Sequence, residues 1–147
     1  GEGGLEDVVV YASDFKRTRE TAEELLGHIG LPRGDVHLVR NLRERRFGTL
    51  ELGDHGRYSH VWQYDAQDKD HTEYGSESVW SVRCRTVQLV HRLEREWEGK
   101  VILLVSHGDA LQILQTAFKG VDVRSHRSLP HLNPAELREL HAESERP

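Results

Sequence analysis

The sequence contains no methionine and a single cysteine, Cys84. One thiol excludes an internal disulfide and a zinc ribbon, and it suits a reducing, cytoplasmic compartment. No apolar run approaches the ~18 residues of a membrane span and no signal peptide is visible, so no membrane partner is expected. Blocks of one charge sign are missing too. The 20 basic and 25 acidic residues are interspersed and sum to −5, which leaves no basic stripe to select nucleic acid. Without methionine, and opening Gly1-Glu2-Gly3-Gly4, the chain is expected to be N-terminally truncated rather than a complete unprocessed translation product.

What is present suits a single domain over residues 1–147. That length buries most of a core without covalent staples. The hydrophobic share of 36%, with 13 glycines added, reaches roughly 45%, the low edge of the globular range.

The segment DVVVYAS from Asp7 is a β-branched run of the length of a buried parallel strand. Ser13 or Asp14 can cap the helix that follows, in which Phe15, Thr18, Ala22, Leu25, Leu26 and Ile29 recur at helical spacing before Gly30 and Pro32. VHLV (Val36 to Val39) is a second strand, with RNLRERRFG at its exit. From Gly48 to Ser76 periodicity is lost, and residues 48–76 are read as a long loop acting as a lid or substrate-selecting segment. Helical spacing returns at Val79, Val82, Thr86, Leu89, Val90, Leu93 and Trp97 and stops at Gly99. KVILLVSHG is the most apolar stretch and reads as a central strand, followed by the helix DALQILQTAF. The order predicts an α/β fold: a mostly parallel sheet with helices on both faces.

Three strand exits deliver chemistry: Arg17, Glu44 and His107. In an open parallel sheet these exits share one edge. Arginine offers a fork for phosphate, a carboxyl can act as a general acid, and histidine can donate to an anion. Gly108 and Asp109 would add backbone donors at a helix start. Together these groups suit phosphoryl chemistry on a small ester.

The same residues resemble a known family. VYASDFKRTRETAEEL, LRERRFGTLE, ESVWSVRCR and LLVSHGDALQIL, in that order, are similar to four blocks of the histidine phosphatase, or phosphoglycerate mutase-like, superfamily. The resemblance implies that Arg17 clamps the transferred phosphate, His107 stabilises its charge, Glu44 protonates the leaving oxygen, and Ser13 and Gly108 shape the pocket. It also implies a phosphohistidine mechanism without metal or other cofactor, acting on a small phosphorylated substrate. The family's nucleophilic histidine lies in an Arg-His-Gly block on an earlier strand. Here the His-Gly pairs are His55-Gly56 and His107-Gly108 only. The first strand-helix unit therefore looks missing, which favours a truncated form over a natural pseudoenzyme or a chain completed by a partner. The short segment after the acid block leans towards phosphatase over mutase.

Blander readings stand beside these. Arg17 can be a solvated helix residue, Glu44 a surface ion-pair partner of Arg43, Arg45 or Arg46, and His107 a core histidine. Ser106 and His107 are strand neighbours pointing to opposite faces, which disfavours a serine–histidine dyad. His55, His60 and His71 fit no metal-ligand spacing and are read as solvated loop residues. Cys84 reads as an inert, partly buried thiol. Tyr58, Trp62 and Tyr64 either line a pocket or pack the loop down.

Overall fold

The computed structural model describes residues 7–53, 55–132 and 140, apart from the side chains of residues 52 and 55. The chain divides into two units, residues 1–44 with 88–107 and residues 45–87 with 108–147.

The first unit is built on a three-stranded parallel sheet, β1 (Val8–Ser13), β2 (Val36–Val39) and β3 (Val101–Val105), in the order β2-β1-β3. The alternation of β1 explains why it lies between the other two. Val9 and Tyr11 pack on one face with Leu42, Leu89 and Leu93, whereas Val10 and Ala12 pack on the other with Ala22 and Leu26. The helix α1 (Lys16–His28) supplies the second pair. The C-terminal part of α3 (Val79–Glu96) supplies Leu89 and Leu93. The expected α/β layering with helices on both faces is therefore present.

Three sequence expectations need correction here. KVILLVSHG forms β3, but β1 is the middle strand. Among the described residues β3 pairs only with β1, and Val101 is 51% exposed. An apolar run signals two covered faces and carries no information on whether both edges are paired. The α1 cap is Phe15, with no side-chain cap bond, because the Ser13 hydroxyl and the Asp14 carboxylate are engaged elsewhere. Phe15 is accordingly outside the buried stripe, which comprises Thr18, Ala22 and Leu26.

In the second unit, residues 48–76 are not one irregular loop. They contain the short helix α2 (Ser59–Asp65) and 3-10 turns at Gly48–Leu52, His55–Tyr58 and Glu73–Gly75. Phe47, Leu50 and Val61 form a cluster against which Tyr58 and Trp62 pack, so those two aromatics hold the segment down. A second cluster joins Val79, Val82, Ala110, Ile113 and Val123, using the start of α3 and the helix α4 (Gly108–Lys119). Cys84 is exposed. The buried face of α3 runs through Val82, Thr86, Leu89 and Leu93, and residue 84, two positions beyond Val82, falls on the opposite side of the helical wheel. Among the described residues, no helix is long and apolar enough to cross a membrane.

Candidate functional site

Parallel register builds the site. Ala12 of β1 pairs with Val105 of β3 and Ser13 with Val39 of β2, so the chain leaves β1 and β3 at the same level, at Ser13 and at Ser106-His107. The Ser13 hydroxyl is buried, donates to Thr18 Oγ1 at 2.7 Å and lies 2.9 Å from His107 Nε2. Thr18 Oγ1 is 3.4 Å from the same nitrogen. With the serine proton directed at Thr18, the Ser13 oxygen accepts from Nε2–H of His107, which aims that donor at the cluster. Ser106 turns the other way and donates to the Leu42 carbonyl at 2.6 Å, as expected for strand neighbours.

The rim of this cluster is charged and aromatic. The Phe15 ring meets the His107 imidazole edge-on at 5.3 Å between centroids. On Phe15 lies the Arg43 guanidinium, 5.5 Å from the ring centroid. Arg43 in turn forks onto Asp14 with bonds of 2.7 and 2.6 Å. That hydrogen bond is the main cause of an Asp14 pKa below the ordinary range. Arg17 projects from the first turn of α1, exposed, and its carbonyl accepts from Thr21 Oγ1. Glu44 is half-buried beyond the 3-10 turn Arg40–Leu42 that follows β2. Gly108 opens α4 in the second unit, where a side chain would come within 3.1 Å of His131. The structure thus joins Ser13 to His107 directly and sets Arg17 one residue before Thr18, their shared neighbour.

The second unit contains an electrostatic cluster. Arg45 is 1% exposed. Its Nε donates to the Glu77 carbonyl at 2.8 Å, and its Nη1 and Nη2 fork onto Asp65 at 2.7 Å each. Nη1 also reaches Asp109 at 3.3 Å. Asp109 meets His126 Nε2 at 3.1 Å and Arg127 at 3.4 Å. Burial alone would raise the Asp109 pKa, but His126 and then Arg45 outweigh it and hold the carboxyl below its usual range. Burial likewise opposes charge on Arg45, and Asp65 with Asp109 reverses that, so its pKa is raised. Glu77 follows the same rule: burial is overcome mainly by Arg85, whose Nε and Nη2 bond it at 3.0 and 3.1 Å.

This cluster corrects the reading of the loop histidines. His71 is buried. Its Nδ1 accepts from the Glu73 amide and its Nε2 faces Asp65, because a buried carboxylate must find donors. His60 is exposed, and the His55 side chain lies outside the described residues. Among the described residues, no group of three or more His, Cys, Asp or Glu is arranged to hold a metal ion. Sequence reasoning missed Arg45, since nothing local separates it from Arg43 and Arg46. One signal was available for Asp109: it shares a helix face with Gln112, Ile113 and Thr116, all buried, which places a carboxylate on an inward stripe.

Residues 3–147 match the model of the histidine phosphatase superfamily, branch 1. A structure of a mycobacterial glucosyl-3-phosphoglycerate phosphatase with inorganic phosphate is 25% identical with a TM-score of 0.69, over 86% of this chain and 66% of that one. YhfR of Bacillus stearothermophilus is 27% identical with a TM-score of 0.69, over 87% and 64%. The alpha-ribazole phosphatase of Shigella flexneri is 25% identical with a TM-score of 0.62, over 85% and 62%. The chain spans 62% to 66% of the length of these three solved structures. No curated protein sequence matches it.

Proposed function

The chain belongs to the histidine phosphatase superfamily, and from that premise we propose that it handles small phosphate monoesters at the cluster around Ser13 and His107. The observation that carries this reading is the buried Ser13 hydroxyl 2.9 Å from His107 Nε2, with exposed Arg17 one residue before Thr18 in the first turn of α1. A phosphate oxygen placed there takes the Nε2–H bond in place of Ser13 Oγ and receives the Arg17 fork. Glu44 is the acid that passes a proton to the leaving oxygen. Gly108 keeps the chain after His107 free of a side chain. Structural neighbours named for phosphatases of glucosyl-3-phosphoglycerate and alpha-ribazole support a small phosphorylated substrate.

In the complete reaction the ester P–O bond breaks as a P–N bond forms to a histidine, the leaving oxygen takes the Glu44 proton, and water then cleaves the P–N bond. Arg17 and His107 supply the charge stabilisation, and no step calls on a metal. The short segment between Gly48 and Ser76 favours hydrolysis over transfer to a second alcohol, and the single thiol suits a cytoplasmic setting.

A second reading follows from one observation: the 147 residues contain no Arg-His-Gly block. On that reading the chain binds phosphorylated ligands, or a partner bearing them, without turnover. Phosphate release from a panel of phosphomonoesters with chelator present, alongside binding of inorganic phosphate, tests both. Release abolished by His107→Ala supports the phosphatase. Phosphate bound at His107 without release supports the binding protein. No phosphate binding at His107 overturns the site.

A further inference from the structure

Phe15 is the wrong residue for its place by every local rule. It occupies the N-cap of α1, where Ser, Thr, Asp or Asn would satisfy free amides and an aromatic satisfies none. It is 46% exposed and belongs to neither apolar cluster of its unit. Yet its ring is held on two sides. One edge meets the His107 imidazole at 5.3 Å with the planes inclined by 66°, and Arg43 covers it at 5.5 Å while forked onto Asp14. A half-exposed aromatic that costs a helix cap and is fixed beside a candidate site residue is a local conflict of the kind that function maintains.

We propose that Phe15 is a specificity-determining residue, an apolar wall beside His107 that selects phosphomonoesters whose leaving group carries a ring over those of small acyclic alcohols. The proposal rests on the phosphate reading of the Ser13–His107 cluster. Phe15 stands two residues beyond Ser13 and touches the imidazole, so a group esterified to a phosphate held by His107 comes within reach of the ring. A planar or apolar leaving group gains stacking area there, whereas a methyl ester gains almost none. Arg43 fixes the ring, which lowers the ordering cost of that contact.

Phosphonates test this without turnover. Binding of inorganic phosphate, methylphosphonate and phenylphosphonate is followed through the imidazole 15N and Cε1–H signals of His107 in the wild type, Phe15→Ala and Phe15→Leu. The wild type is expected to bind phenylphosphonate about 3- to 10-fold more tightly than methylphosphonate. Phe15→Ala should remove that ratio, leave the affinity for inorganic phosphate within about twofold, and shift the His107 Cε1–H signal as the ring current is lost. Phe15→Leu should keep part of the ratio. Thermal melts confirm that both variants fold. A ratio unchanged in Phe15→Ala overturns the proposal while the phosphate site stands, and so does an equal loss for all three ligands. If inorganic phosphate fails to perturb His107 in the wild type, the phosphate reading falls and the proposal with it.

Discussion

Ser13 Oγ lies 2.9 Å from His107 Nε2 across 94 residues of sequence, and the pairing of β1 with β3 makes that contact. With the Ser13 proton directed at Thr18, Ser13 Oγ is the acceptor that the Nε2–H tautomer of His107 requires. Ser13→Ala is expected to loosen that preference, visible in the imidazole 15N shifts, and to cost about 1 kcal/mol in urea melts. Unchanged shifts would mean that Thr18, at 3.4 Å, orients the ring alone.

Arg17 separates binding from stability. It is exposed on α1, so Arg17→Ala should change the unfolding free energy by less than about 0.5 kcal/mol. Loss of the fork should nevertheless weaken inorganic phosphate by about tenfold or more, and Arg17→Lys should restore part of it as a point charge. Calorimetric titration with phosphate checks this, and equal affinity in all three proteins would remove Arg17 from the site.

Arg45 behaves in the opposite way. Arg45→Met strands the Asp65 and Asp109 carboxylates in a buried setting, at an expected cost of about 3–5 kcal/mol. Arg45→Lys keeps the charge without the fork and should fall between. Denaturant midpoints decide it. A loss below about 1 kcal/mol would show that the network relaxes into solvent.

The contrast between these two arginines marks how far sequence reasoning reached. α1 and α3 were legible because their apolar residues recur at helical spacing, and β1 and β3 because they are short apolar runs; the strand exits then pointed to Arg17, Glu44 and His107, and the family resemblance added Ser13. Arg45, Asp65 and His71 were not legible, and Asp109 showed only in its place on an inward helix stripe. Burial of a charge depends on partners 20 and 64 residues away, and no local pattern records them. The 48–76 segment failed for another reason: its helix has only seven residues, too few for periodicity to register.

Gly48 carries a backbone requirement. Its φ is +63°, and a Cβ there would lie 2.0 Å from the Tyr74 carbonyl oxygen. Tyr74 itself adopts φ 62°, a left-handed conformation that costs a side-chain-bearing residue about 1 kcal/mol. Gly48→Ala should destabilise by more than about 2 kcal/mol, since strain and collision add. Tyr74→Gly should be neutral or stabilising by up to about 1 kcal/mol. Unfolding curves of the pair check both signs.

Acid should weaken the fold through Asp109 and Glu77. Both carboxyls titrate below their ordinary range in the folded chain, so the unfolded chain takes up their protons first as pH falls. The stabilisation is complete above the unfolded carboxylate values near pH 4 and is lost as pH drops through the lower folded values. Stability measured by urea melts should therefore be level in these groups above about pH 5 and decline below it. Asp109→Asn and Glu77→Gln give the sharper reading. Each should be less stable than the wild type at neutral pH, because Arg45 or Arg85 loses a charged partner, and each deficit should shrink as acid neutralises the wild-type carboxylate. Deficits that stay constant down the acid limb would place the loss in packing rather than in charge.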